Sequence, residues 1–419
     1  MSEDPAEALA AAHRREWAFV LAATARVAGD IDLAEECVQD AYVSAMDAWA
    51  RQGVPRNPGA WLTTAARRRA IDMLRRDSTL RRKLPLLVDP DPAPCSAPPR
   101  TAQYRSGDHE DEAAEWEAER DVIPDDRLRL IFTCCHPALA REAQVALTLR
   151  LVCGLTTSEI SQAFLVPEPT MAARVTRAKK KISAARIPYR VPLPAEFPDR
   201  LDAVLTVMYL VFTTGHTAPA GQGLVRDDLV DRAIGLARML LALMPDEPEA
   251  RGLLALMLLT DARRATRATA GGRLLLLEEQ DRRQWDRQAI AEGAGLVTAA
   301  LRGGRPGRFA LQAAIAALHA QAPDYASTDW PQILGLYDLL VRAWPSPVVA
   351  LNRAVALAMA KGPEAGLASI ADLEREGRLG GYRYLPAAKA DLLRRLGRRL
   401  EAEQAYREAL TLTANDAER

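Results

Sequence analysis

Thr170, Arg174, Arg177 and Lys181, with Lys180 alongside, fall on one side of a helix and carry the chemistry that grips phosphates and reads base edges. An arginine can give two parallel hydrogen bonds to guanine or to a phosphate. On the opposite side Met171, Val175, Ala178 and Ile182 recur at the α-helical period. One face packs and the other is free to meet a charged ligand.

The residues in front of this helix are the ones that must position it. Thr156 and Glu159 form a capping box, in which Thr156 accepts from the Glu159 amide while the Glu159 side chain reaches back. Pro167 ends that short helix, and Pro169 suits the first turn of the next, where no amide donor is needed. Helix, tight turn and basic helix make a helix-turn-helix, whose second helix enters the major groove of DNA. The run Lys179-Lys180-Lys181 alone would read as a solvated surface. Here cap, turn and outward cations coincide.

A second cationic helix is predicted over residues 61–76, with Leu62, Ala66, Ala70 and Met73 inward and Thr64, Arg67, Arg68 and Arg75 facing away. A loop with Gly53, Pro55, Asn57 and Pro58 precedes it. Arginines beside an aromatic such as Trp61 suit opened or single-stranded DNA, since guanidinium groups hold phosphates and flat rings stack on bases. A core position for Trp61 is the plain alternative. Residues 33–49 form an amphipathic helix with Val38, Tyr42, Ala45 and Trp49 on one face and Glu36, Gln39, Asp40 and Asp47 on the other.

Lysine plus arginine equals aspartate plus glutamate, 55 each, so net charge says nothing about a nucleic-acid partner. The distribution does: arginines crowd the stretch through Arg81 and Arg82, and acids crowd the next, from Asp108 to Asp121. The five cysteines have no disulfide-framework spacing, which predicts a reducing compartment. No secretion signal begins the chain, and the apolar run 252–259 is far short of the roughly 20 residues that span a bilayer. A cytoplasmic protein without membrane contact is expected. Cys134, Cys135 and His136 lack a second pair at metal-site spacing, and neither a phosphate-binding glycine loop nor a nucleophile elbow occurs, so no enzyme, metal or cofactor is expected. Glu278, Glu279 and Asp281 read as a solvated or capping turn.

Helical periodicity throughout predicts an all-α fold. Residues 1–83 form one small helical module, and 84–121 a proline-rich, acidic linker with a helix near 110–120. Residues 122–187 hold the helix-turn-helix module, and 188–419 a helical, repeat-like domain. In that last domain a shared pattern recurs at Ala233, Ala237, Leu240 and Leu241, at Ile333, Tyr337, Leu340 and Val341, and at Ala402, Tyr406, Ala409 and Leu410. These sites lie near multiples of the tetratricopeptide period.

The segments Asp32-Leu33-Ala34-Glu35-Glu36-Cys37-Val38-Gln39-Asp40-Ala41-Tyr42, Ala60-Trp61-Leu62, Ala65-Ala66-Arg67 and Ala70-Ile71-Asp72-Met73-Leu74-Arg75-Arg76 resemble region 2 of the extracytoplasmic-function class of sigma-70 family RNA polymerase sigma factors. Gly154-Leu155-Thr156, Glu159-Ile160, Ala163, Thr170, Arg174 and Arg177-Ala178-Lys179 resemble region 4 of that class. The remainder is similar to the subgroup with a tetratricopeptide-like C-terminal extension. The resemblance implies that Glu36, Gln39 and Asp40 dock on core RNA polymerase. It implies that Asn57, Trp61, Arg67, Arg68, Arg75 and Arg76 read and grip the promoter −10 element, and that Thr170, Arg174, Arg177, Lys180 and Lys181 face the −35 element. The C-terminal domain would regulate in cis, or take a regulatory protein. Pro167 stands where the family often has a serine cap, and Ala172 and Ala173 replace more polar residues, so the target sequence of better-known members does not transfer. A helix-turn-helix regulator with a protein-binding repeat domain is the alternative.

Overall fold

The computed structural model describes residues 5–88, 126–164, 166–216, 227–269 and 273–413. The fold is all-α as expected; among the described residues the sole β structure is an isolated bridge between Ala268 and Leu274. Two compact units divide the chain: Met1–Ile160 with Pro167–Val204, and Ser161–Val166 with Leu205–Arg419.

The N-terminal unit begins with α1 (Pro5–Ala28), α2 (Ile31–Gln52) and α3 (Pro58–Val88), each packed on the other two. Local chemistry sets their ends. Gly29 takes φ +66°, a conformation a side chain would oppose, and Asp30 then caps α2 by accepting from the Leu33 amide at 2.9 Å. Gly53 closes α2 at φ +83°. Val20, Leu21, Val38, Ala45, Leu62, Ala66 and Ala70 fill the core between them. α3 continues through residues 84–88, a stretch assigned from the sequence to the linker, even though Pro85 lies within it. The helix expected near 110–120 lies outside the described residues.

After the linker come α4 (Asp126–Cys134) and α5 (Arg141–Leu147), which widens into a π turn over Thr148–Val152. The helix-turn-helix follows as α6 (Thr157–Phe164) and α7 (Glu168–Ala184). Cys134 and Cys135 are buried, and enclosure pushes the Cys135 thiol up to about 11. Among the described residues no cluster of His, Cys, Asp and Glu could hold a metal ion.

The helix α8 (Phe197–His216) contains the boundary between the units. In the C-terminal unit α9 (Asp227–Leu243), α11 (Arg287–Arg302) and α12 (Arg308–Gln321) pack around α10 (Pro248–Asp261) and the apolar run of residues 252–259. That run lies in α10, buried on every side, as a helix hydrophobic all round must be. Gly252 lets α10 touch the α12 backbone: a Cβ there would sit 2.5 Å from the Ala310 nitrogen. Glu249 caps α12, accepting from the Phe309 and Ala310 amides at 2.9 and 3.0 Å. Five more helices follow, α13 (Trp330–Ala343), α14 (Pro347–Lys361), α15 (Pro363–Glu376), α16 (Tyr384–Arg395) and α17 (Arg399–Thr411), each packed on the next. Within the recurring pattern Ala233, Ala237, Leu240, Ile333, Leu340, Ala402 and Ala409 are buried, whereas Tyr406 and Leu410 on the last helix are exposed. Glu279 and Asp281 serve a capping turn, accepting from the Leu276 and Arg283 amides. No described helix is long and apolar enough to cross a membrane.

Candidate nucleic-acid interface

The capping box forms as its residue types require. Thr156 N–H donates to the Glu159 carboxylate at 2.6 Å, and the Glu159 amide donates to Thr156 Oγ1 at 3.2 Å. α7 then starts on Pro167 with no side-chain cap; only the Pro167 carbonyl accepts, from Thr170 and Met171. Met171, Val175, Ala178 and Ile182 are all buried. Thr170, Arg177, Lys180 and Lys181 are exposed and Arg174 is half-buried, so the cationic residues share the outward side. Arg177 rests against its own helix, donating to the Ala173 carbonyl at 3.2 Å. The helix closes through Arg186, which takes φ +48° so that the Ile187 amide can reach the Ile182 carbonyl.

On α3 the arginines divide. Arg68, Arg75 and Arg76 are exposed. Arg67, expected to face away, is instead half-buried with its Nε directed to the Ala23 carbonyl of α1 at 3.4 Å, because α1 crosses α3 at that turn. Asn57 is exposed, and its carboxamide oxygen caps α3 by accepting from the Ala60 amide at 3.0 Å. Trp61 is half-buried and meets the buried Trp49 edge to face, with ring centroids 5.8 Å apart. That places it at the rim of the core, between the two alternatives the sequence left open.

The outward side of α2 carries Glu36 and Gln39, with Asp40 half-buried in an ion pair to Arg69 at 2.8 Å. Val43 and Met46 continue that side one and two turns on and are 65% and 56% exposed. The sequence reading, which sorts residues into apolar and polar sides, misses both of them. Their spacing from Glu36 and Gln39 is the signal that could have found them.

The two modules of this unit are packed together, and charged side chains join them. Lys179, on the inner flank of α7, donates to Asp32 at 2.8 Å and to Glu35 at 2.6 Å, and Arg150 pairs with the other Glu35 oxygen at 2.5 Å. Glu35 and Lys179 are nearly enclosed, with side chains 6% and 13% exposed. Burial alone would push the Lys179 ammonium down, but the bonds from Asp32 and Glu35 outweigh it and hold it above its ordinary range. Nearby Trp17 donates from its indole to the Leu151 carbonyl at 3.0 Å and covers Gly154, whose missing side chain would meet the ring at 3.0 Å. Arg26 pairs with Asp126 at 3.4 Å, and Tyr189 donates to the Ala22 carbonyl at 3.0 Å.

Residues 13–79 match Sigma-70 region 2, and residues 129–182 match Sigma-70, region 4. The chain belongs to the sigma-70 family. Region 2 therefore comprises α1 to α3, and region 4 spans α4 to α7, including the helix-turn-helix. These are the regions with which sigma-70 factors bind core RNA polymerase and promoter DNA. Residues 200–301 match a family of unknown function, DUF6596. An uncharacterized protein of Rhizobium meliloti (strain 1021), R00370, is 44% identical over 389 residues, covering 93% of this chain and 88% of that one. No solved structure matches significantly.

Proposed function

We propose that this chain is an alternative sigma factor of the extracytoplasmic-function class, binding core RNA polymerase through α2 and reading promoters with α3 and α7. The observation that carries the reading is the pairing of two outward surfaces in one chain. One is the cationic side of α7 behind a capped α6. The other is the α2 side with Glu36 and Gln39 beside exposed Val43 and Met46. The charges steer the approach to polymerase and the apolar pair supplies burial once docked. Arg68, Arg75 and Arg76 grip the opened −10 strand. Asn57, at the tip that starts α3, reads a base there, with Trp61 at its side. Thr170, Arg174, Arg177, Lys180 and Lys181 face the −35 duplex.

In this reading the packed arrangement of regions 2 and 4 is the resting form. The −35 and −10 elements lie about 25 base pairs, or ~85 Å of duplex, apart. Lys179 and Glu35, 2.6 Å from each other, must part before both elements are engaged. The ionic cluster is then a latch. The C-terminal unit regulates in cis, acting on whether the latch opens. The reading rests on the covalent attachment of a large helical domain, with tetratricopeptide-like succession from α13 to α17, to an otherwise complete factor.

Run-off transcription with purified core polymerase on a pool of genomic promoters tests the assignment. Promoter-specific transcripts that depend on the full chain are expected. Binding to duplex DNA alone, with no transcript, would assign the chain to the helix-turn-helix regulators instead. Equal output from a chain ending at His216 would remove the regulatory part and leave the rest.

A further inference from the structure

In the C-terminal unit, between α10, α12 and α13, lies a half-open cavity of about 210 Å³ that Leu277 and Trp285 also line. Leu256, Leu259 and Ile315 make its walls largely apolar. Arg263, just past the end of α10, also lines it. Arg263 is half-buried on the cavity wall, and its guanidinium has no hydrogen-bond or ion-pair partner among the described residues. Enclosure, with Arg267 nearby, pushes it down to about 10.

Neighbouring arginines are treated differently. Arg264 pairs with Asp227, Asp231 and Asp261 at 3.1, 2.8 and 2.7 Å. Arg267 donates to the His216 carbonyl, and Arg282 to the His319 and Ala322 carbonyls at 2.6 and 2.7 Å. Among the described residues no aspartate or glutamate lines the cavity. A half-buried guanidinium with no counter-ion, facing largely apolar walls, leaves its charge and its paired donors for a ligand. Thr260, Gln312, His319 and the Tyr337 phenol also stand on the wall. Burial, followed by the charges of Arg263 and Arg282, pushes His319 down to about 4, so it stands there as a neutral imidazole.

We propose that this cavity binds a small organic carboxylate, its carboxyl group on Arg263 and its hydrocarbon body against Leu256, Leu259 and Ile315. A single guanidinium matches one carboxylate through two parallel hydrogen bonds. Gln312, His319 and Tyr337 are placed to complete the polar end. A cavity of about 150 Å³ takes benzene, so this one suits a ring or short chain of about eight heavy atoms. An inorganic anion would satisfy the arginine and leave the apolar walls unfilled. Such a site gives the C-terminal unit a chemical input of its own.

Calorimetric titration and thermal melts of the full chain, without polymerase or DNA, test this apart from the promoter assignment. Hexanoate and benzoate are the probes, with hexanamide, benzamide and inorganic phosphate as controls. The acids are expected to raise the melting temperature and to bind at least about tenfold tighter than the amides, the discrimination a desolvated charge pair gives. Arg263→Met should abolish binding and raise the melting temperature of the ligand-free protein, since it removes an uncompensated cation. Lowering of that temperature would make Arg263 a structural residue and overturn the proposal. So would equal binding of acid and amide, binding of phosphate alone, or binding of none. If Arg263→Met does not fold, Ala316→Phe fills the cavity and keeps the arginine, and carboxylate binding that survives it would count against the site.

Discussion

Between regions 2 and 4 a cluster of ions, Lys179, Asp32, Glu35 and Arg150, stands beside the packing of Trp17 on Gly154, whereas α10 and α12 meet through Gly252 with no side chain between their backbones. The two joints answer differently to being opened. Separating buried ions returns much of the attraction as hydration, so the net cost is small while the geometry stays specific. Separating apolar helices exposes surface with no such return. On the proposed function the ionic joint is the one that opens, while the C-terminal unit keeps its shape.

The largest effect is expected where α10 touches α12. Gly252→Val would place carbon against the Ala310 backbone, which cannot yield as a side chain could, and should cost about 3 kcal/mol or more. Urea unfolding would show it as loss of the C-terminal unit's transition. Next comes acid. His319 is held neutral in the fold, at about 4, while the unfolded chain protonates near 6.5. Its contribution is therefore complete above about pH 6.5 and is lost as pH falls toward 4, by on the order of 3 kcal/mol. His319→Leu should flatten melting temperature against pH over that window.

The latch comes third. Glu35→Gln leaves Lys179 and Arg150 facing a neutral amide and should weaken the joint by about 2 kcal/mol, less than for a fully buried pair because both cations keep some solvent. Amide exchange around Leu151 would rise, with the C-terminal unit unaffected. The smallest effect is a gain. Arg186 closes α7 in a left-handed conformation that glycine adopts freely, so Arg186→Gly should stabilise the N-terminal unit by about 0.5–1 kcal/mol.

What the sequence makes legible follows the range of the forces involved. The stripe of Met171, Val175, Ala178 and Ile182 and the Thr156–Glu159 box are written within a few residues, and the structure contains both. The pair of Lys179 with Glu35 joins residues 144 apart, and no local pattern encodes it. One hint was present. Lys179 lies one turn from both Val175 and Ile182, on the flank of the packed stripe rather than opposite it. Arg67 carries the same lesson, since only the crossing of α1 turns a residue on the polar side toward the Ala23 carbonyl. In the C-terminal unit the recurring Ala233, Ala237, Leu240, Leu340, Ala402 and Ala409 are buried as periodicity implies, while Leu410 on the last helix is exposed. The cavity at Arg263 is invisible in sequence because it depends on which of several arginines finds no partner.

The most direct test is the separation of regions 2 and 4, read by pulsed electron–electron resonance between spin labels at exposed Asp47 on α2 and Thr176 on α7. A single short distance is expected in the free chain, lengthening by several tens of ångströms with core polymerase and promoter DNA, and shifting partly toward the long form in Glu35→Gln. A distance unchanged by polymerase and promoter would contradict the account.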